Sequence, residues 1–210
     1  DTLFIFDGGH AKKVFLFNMK GNLLGEIGKI GRGPGEYIFP VDFDVNSNEK
    51  KVAIYDFRNG KLNYFNYQGE YVENISFNKP FQNFVYADEH IIFYQPPIRG
   101  ISPQENLIHI FDFKGKEIAS FMKYNGVPHY SMLRTMGSQF YKRNNTVRFF
   151  MPFNNTIYTV DKDGVEPFIS LDSRIYKLND NERQELNSKP LYSPSNIKKL
   201  FWISNYSEND

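Results

Sequence analysis

Short runs in which apolar and polar side chains alternate recur along the chain and predict β-strands. A period of two places the apolar side chains of a strand on one face, which is typical of antiparallel sheets. Pairs of such runs precede four similar turns: 3–7 with 13–17, 52–56 with 62–65, 91–94 with 107–111, and 147–150 with 156–160. A further run follows each turn, as at 22–27 and 70–75, and short runs at 41–45 and 83–87 open the next group.

The four turns share one local pattern, in which Asn or Asp ends a strand and Gly follows three positions later. An Asn or Asp side chain hydrogen-bonds the nearby backbone, and Gly adopts the positive φ of a tight turn, so the pattern predicts hairpins. The four pairs are Asn18 with Gly21, Asn66 with Gly69, Asp112 with Gly115, and Asp161 with Gly164. Successive glycines are 48, 46 and 49 residues apart.

Four strands in a repeat of just under 50 residues predict the blade of a β-propeller. A single blade cannot bury both faces, so blades stack on one another. We therefore expect an all-β propeller of four-stranded antiparallel blades, with about four and a half blades in a single domain, residues 1–210. The half blade rests on a strand at 200–204 that holds Trp202, the only tryptophan, and one helix is predicted at 179–187.

Composition narrows the functional classes. Aromatic residues make up 17% of the 210 residues, a share that favours β-sheet. The net charge of +1 does not indicate the basic surface that binding to nucleic acid requires. The chain has no cysteine, so disulfides and thiolate sites are excluded. No run reaches the roughly 18–20 apolar residues of a membrane span. Because Asp1 stands at the start of a predicted strand, we expect the chain to be a fragment.

The second repeat carries a family resemblance. Its Asp, Asn, apolar, aromatic and Gly positions resemble NHL-type propeller repeats: Asp56, Asn59, Leu62, Phe65 and Gly69. The segment 28–37, with Phe39 and Pro40 after it, is similar to the inter-blade loop of a bacterial family of six-bladed β-propellers. The resemblance covers residues 1–172. It implies a six-bladed ring and an exported protein, periplasmic or outer-membrane-associated, whose lipid anchor would lie outside this chain. Because four and a half blades fall short of six, blades are missing or the ring is four-bladed.

The glycine-rich loop 31–36 invites comparison with a phosphate-binding loop. It lacks the Lys-Ser/Thr of a P-loop, and no helix follows it. We interpret it as a tight crossing between blades that Pro34 stiffens. Arg32 and Glu36 of this loop are candidate ligand-binding residues, because propellers often bind ligands at the rim or channel.

The titratable residues do not assemble into a catalytic motif in the sequence. The histidines lack close metal-ligand spacing: His10, His90, His109 and His129. Related propellers that cleave peptidyl-hydroxyglycine bind zinc through separated histidines, so a distant ligand set stays open. Acidic residues recur near strand ends, which predicts backbone hydrogen bonding rather than glycoside hydrolysis: Asp7, Asp42, Asp44 and Asp56. We predict no catalytic residue, no metal and no cofactor, and a packed or rim position for His109.

Two long loops interrupt the repeat, an insertion at 95–105 and a linker at 124–134. Insertions in repeat proteins lie on one face, which is often the binding face. Arg99, Tyr130 and Arg134 are therefore candidates for contact with a peptide or glycan. The leading hypothesis is a non-catalytic binding or scaffold domain of a cell-envelope protein that recognises a protein, peptide or glycan. A metal-dependent lyase or hydrolase acting in the propeller channel, and a purely structural or sensor module, are the alternatives.

Overall fold

A computed structural model describes residues 1–77, 79–87, 89–96, 105–123, 138–151 and 154–172. Throughout these ranges the regular elements are β-strands, with no helix and hence none long and apolar enough to cross a membrane. The strands are β1 Thr2–Asp7, β2 Lys13–Asn18, β3 Leu23–Ile27, β4 Lys29–Ile30, β5 Glu36–Tyr37, β6 Pro40–Asn46, β7 Lys51–Asp56, β8 Lys61–Asn66, β9 Tyr71–Ser76, β10 Asn83–Ala87, β11 His90–Tyr94, β12 Asn106–Asp112, β13 Glu117–Lys123, β14 Phe140–Arg143, β15 Thr146–Phe150, β16 Thr156–Asp161 and β17 Gly164–Ser170.

Consecutive strands form four sheets in simple chain order. The first sheet has three strands, β1-β2-β3, and the other three have four each: β6-β7-β8-β9, β10-β11-β12-β13 and β14-β15-β16-β17. Neighbouring strands of the first, second and fourth sheets pair antiparallel. The short strands β4 and β5 pair parallel to each other. The prediction of an all-β fold, a partial propeller of antiparallel blades, is confirmed.

The predicted hairpins are present, with one correction. Gly21, Gly69 and Gly115 have φ of +81°, +84° and +82°, and each donates its N–H to the carbonyl of the preceding Asn or Asp. Gly164 does not take the positive φ that the pattern predicted. It is the first residue of β17 and lies opposite Asp161, so the turn there consists of two other residues, 162 and 163. Neither of these two turn residues takes a positive φ.

The chain divides into two compact units, residues 1–93 with 111–117 and residues 94–110 with 118–210. The first unit has two apolar clusters, and β7 contributes alternate side chains to each. Val52 and Ile54 lie in the cluster with side chains of the first sheet, whereas Ala53 and Tyr55 pack among aromatic side chains that follow in sequence. The two central strands of the second sheet are therefore buried on both faces, which explains why they are apolar almost without interruption.

The acidic residues near strand ends bind backbone amides, as predicted. The Asp7 carboxylate accepts hydrogen bonds from three amides of the following turn, at residues 9, 10 and 11. Asp42 accepts from Phe84 N at 3.0 Å, and Asp44 accepts from Tyr86 N at 2.8 Å, so both link β6 to β10. These carboxylates tie neighbouring segments together.

Several predictions fall outside the described residues. They are the helix at 179–187, the strand at 200–204 with Trp202, and the loops that hold Arg99, Tyr130, Arg134 and His129. The single domain of residues 1–210, the six-bladed ring and the four-bladed alternative stay predictions.

Candidate functional site

A cavity of about 730 Å³ lies in the first unit and brings the glycine-rich loop together with β8 and β9. We call it the loop cavity. Its lining is mostly polar and consists of Arg32, Gly33, Pro34, Gly35, Glu36, Ile38, Asn59, Lys61, Asn63, Tyr71 and Asn74. Both sequence-predicted residues of the loop, Arg32 and Glu36, are thus placed at one cavity.

Backbone hydrogen bonds fix the loop that forms one wall. Gly31 N donates to Tyr37 O at 3.0 Å, and Glu36 N donates to Gly33 O at 3.0 Å. Gly35 has φ of +73°, and a Cβ at this position would lie 2.7 Å from Cβ and Cγ of Tyr71. Only glycine allows the loop to approach the Tyr71 ring so closely. The interpretation of the loop as a tight crossing agrees with this geometry.

Glu36 holds the loop from inside. Its Oε1 lies 2.8 Å from Lys29 Nζ, and its Oε2 accepts a hydrogen bond from Gly33 N at 2.8 Å. The hydrogen bond from Lys29, with a further one from Gly33 N, lowers the pKa of Glu36 below its usual value. The Gly33 amide is therefore already bonded to a carboxylate of the chain itself, and the cavity gains no net negative charge from Glu36 because Lys29 neutralises it.

The opposite side of the loop is anchored by Asp56 at the end of β7. Its carboxylate accepts hydrogen bonds from Ile38 N and Phe39 N, both at 2.9 Å, and from Asn59 Nδ2 at 2.7 Å. Asp56 is fully buried, so these bonds are shielded from water. The Asp and Asn of the NHL-like pattern thus serve to position the cavity wall.

Asn63 of β8 is one of three cavity residues that the sequence interpretation missed, with Lys61 and Asn74. It is 2% exposed and lines the cavity, yet its Nδ2 has no acceptor among the described residues. A buried donor without a partner costs about 1–3 kcal/mol. The sequence contained a signal for Asn63, which is a polar residue in an otherwise apolar strand. When the four repeats are aligned by their turn glycines, the equivalent positions hold Phe15, His109 and Tyr158.

Two cations lie at the same cavity without a partner in the described part of the chain. Arg32 is exposed, and Lys61 is half-buried on the same strand and face as Asn63. The other two lining amides already donate, Asn59 Nδ2 to Asp56 and Asn74 Nδ2 to the Tyr71 hydroxyl. The groups left to bind a ligand are therefore hydrogen-bond donors, two of them charged.

The three histidines of the described ranges do not line this cavity. His10 is exposed, and its backbone N–H donates a hydrogen bond to the Asp7 carboxylate. His90 lies in β11. The side chain of His109 is buried, with 1% of the residue exposed, and its ring Nε2 lies 2.9 Å from Asn106 O. The packed position predicted for His109 is confirmed. Within the described ranges no group of three His, Cys, Asp or Glu side chains has the geometry to hold a metal ion.

Comparison with protein families gives a match over the whole chain. The model of a family named "Domain of unknown function (DUF4934)" matches residues 1–210. No curated protein matches the chain.

Solved structures match the fold at low sequence identity. A predicted exported protein of Bacteroides fragilis has a TM-score of 0.71 at 23% identity, over 80% of this chain and 48% of that one. A DUF4221 family member from Bacteroides vulgatus has a TM-score of 0.58 at 13% identity, over 84% and 56%. Virginiamycin B lyase from Staphylococcus aureus has a TM-score of 0.52 at 12% identity, over 84% and 54%. The chain spans about half the length of these proteins, and the likeness shows the fold alone.

Proposed function

The chain belongs to the DUF4934 family, and we propose that it is a non-catalytic binding domain of an exported protein that takes a polar glycan or peptide in the loop cavity. The observation that carries the proposal is the Asn63 side chain, a buried donor that lines the cavity without an acceptor among the described residues. Buried polar groups in folded proteins nearly always have a partner. A ligand hydroxyl or carbonyl would provide it.

The size and rigidity of the cavity fit this role. A volume of about 730 Å³ is within the roughly 300–1,000 Å³ of known ligand pockets. Its walls are held by Asp56 on one side and by the Glu36–Lys29 pair on the other, so a ligand would not have to order them. Preformed sites lose less conformational entropy on binding.

Export is supported by the neighbouring Bacteroides fragilis protein, which is a predicted exported protein of the same fold. An exported binding domain would act in the cell envelope, in the periplasm or at the outer membrane. In this proposal Arg32 contacts the ligand from the loop, while Arg99, Tyr130 and Arg134 lie outside the described residues and stay candidates from the sequence alone. Glu36 shapes the loop and contacts the ligand only at its edge.

The test replaces Asn63 with Phe, the residue at the equivalent position 15 of the first sheet. The substitution removes the donor and introduces the side chain that β2 carries at the equivalent paired position of the first sheet. Purified wild-type and variant chains would be titrated calorimetrically with a panel of soluble oligosaccharides and short peptides. We expect at least one panel member to bind the wild type and to bind N63F at least 10-fold more weakly.

Circular dichroism provides the control, because N63F should retain the β-sheet spectrum and a cooperative thermal transition. The proposal is wrong if no panel member binds the wild type. It is also wrong if a ligand binds folded N63F with unchanged affinity, because the ligand site would then lie elsewhere.

A further inference from the structure

The first and second sheets place the same lysine in different electrostatic surroundings. In the first sheet Lys13 Nζ lies 2.6 Å from Glu26 Oε1. The first two hairpin glycines are 48 residues apart, and the residues 48 positions after Lys13 and Glu26 are Lys61 and Asn74. The carboxylate of the first sheet is thus an amide in the second, and Lys61 has no ion-pair partner among the described residues.

The equivalence of these positions is structural as well as sequential. Position 15 pairs with Glu26 in the first sheet, and Asn63 pairs with Asn74 in the second. Both strand pairs also shift register at the same place, two residues later. The missing carboxylate is therefore a difference in side chain on an unchanged backbone, and it leaves a cation at the loop cavity.

The charged side chains that line the cavity leave an excess of positive charge, beside the buried Asp56 carboxylate that holds one wall. Lys61 and Arg32 are both lining residues without an ion pair in the described part of the chain, and the one lining carboxylate, Glu36, is paired with Lys29 at 2.8 Å. The buried Asn63 Nδ2 is a further donor without an acceptor. Two cations and an amide donor without partners among the described residues make the cavity complementary to an anionic oxygen group.

We propose that the loop cavity recognises the carboxylate of an acidic saccharide, and this inference rests on the proposed function. The Lys61 ammonium and the Arg32 guanidinium form ion pairs with the carboxylate, and Asn63 Nδ2 donates a hydrogen bond to the ligand. Arg presents two parallel N–H donors that match the two carboxylate oxygens, while Lys acts as a point charge.

The rest of the lining favours a saccharide over a peptide. Side-chain amides and a hydroxyl dominate it, at Asn59, Asn74 and Tyr71, and amides offer both donors and acceptors. Sugar hydroxyls likewise donate and accept. The apolar lining is limited to Pro34, Ile38 and the Tyr71 ring, which does not form the apolar pocket that anchors a peptide side chain.

A matched ligand pair tests the charge. Trigalacturonic acid and its carboxyl methyl ester share the same sugar rings but differ in charge, and calorimetric titration at low and physiological salt would give both dissociation constants. We expect the acid to bind at least 10-fold more tightly than the ester, with a difference that shrinks as salt rises. Triglycine and its C-terminal amide form a second pair that places the carboxylate on a peptide.

Two substitutions separate the charge from the fold. Asn74→Glu restores in the second sheet the carboxylate that the first sheet already has, so it should weaken binding of the acid about 10-fold more than it weakens binding of the ester. Glu26→Asn makes the reciprocal change in the first sheet, away from the cavity lining, and should alter neither affinity.

The possible outcomes separate the two proposals. Equal binding of acid and ester that N63F abolishes would overturn the charge inference and leave the binding function in place. Tight binding of triglycine, but not of either saccharide, would assign the carboxylate to a peptide and overturn the saccharide class. Binding of none of the four probes would overturn this inference, while the wider panel decides the binding function separately.

Discussion

The first two sheets are copies of one repeat, yet the same positions lie in different surroundings. Their second hairpins pair in the same register with a bulge at the same place. In the first sheet, β2 alternates between buried and half-buried side chains, whereas the four central residues of β8 in the second sheet are all buried. The first sheet contributes to one apolar cluster, and the second sheet contributes to two.

This difference shows that burial, and not the local sequence pattern, determines how much a residue contributes to the free energy of unfolding. Asp7 and Asp56 each end the strand before a hairpin and each bind several donors. Asp7 is half-buried and serves its own turn, whereas Asp56 is fully buried and also holds the loop at Ile38 and Phe39. Water can replace a lost partner only in the first case.

The largest effect is expected from Asp56→Ala. The substitution leaves three backbone amides and the Asn59 amide without their acceptor, in a place that water does not reach. We expect it to lower the free energy of unfolding by about 3 kcal/mol or more, measured by urea denaturation. Asp7→Ala should cost clearly less. Equal losses would mean that burial does not separate the two sheets.

The next effect concerns pH and Asp42 of β6. Burial raises its pKa to about 7, against the opposing effect of hydrogen bonds from Phe84 N and Asn83 Nδ2. The folded chain therefore keeps this proton over a range in which the unfolded chain, with a pKa of 3.8, has lost it. Stability should fall as pH rises through that range, by roughly 2–3 kcal/mol between about pH 5 and about pH 8.

The variant Asp42→Asn cannot ionise, so this decline should disappear from its urea denaturation series. Asp7 of the first sheet provides the contrast, because hydrogen bonds from the amides of His10 and Ala11 lower its pKa. Its stabilising contribution is present above the unfolded pKa and is lost as pH falls through the folded value. A pH profile of D42N identical to that of the wild type would contradict the assignment to Asp42.

The smallest effect is a gain in stability from N63F, the variant that weakens binding in our proposal. It removes a buried donor without an acceptor and adds apolar surface at a position where the first sheet carries Phe15. We expect the free energy of unfolding to rise by about 1 kcal/mol. A destabilised N63F would show that the Asn63 amide contributes to folding and would remove the reason to regard it as a ligand contact.

The sequence predicted most of the fold. The strand alternation and the Asn or Asp to Gly spacing located all four hairpins, because these signals depend on local backbone conformation. The conformation of Gly164 was the exception. A two-residue turn replaces the three-residue turn there, and the Asp-to-Gly spacing in the sequence is the same for both. The carboxylates near strand ends were also interpreted correctly, because their backbone partners are mostly close in sequence or at repeat-equivalent positions.

The site was predicted only in part. Arg32 and Glu36 were found through the composition of their loop, but Lys61, Asn63 and Asn74 lie inside ordinary-looking strands. Their role depends on which side chains face the loop, and that requires the packing of β8 and β9 against it. Aligning the repeats by their glycines would have marked Asn63 and Asn74 as departures from the first copy.

The sequence alone determined the β-strands, their hairpins and the repeat, because each follows from alternation and turn chemistry within a few residues. The tertiary structure decided which copies of a repeated residue are buried, paired or left without a partner. Lys13 and Lys61 have the same local sequence position, yet among the described residues only Lys13 has a carboxylate partner. Contacts between strands fix that outcome, and a side chain's electrostatic free energy depends on those neighbours rather than on its own position in the chain.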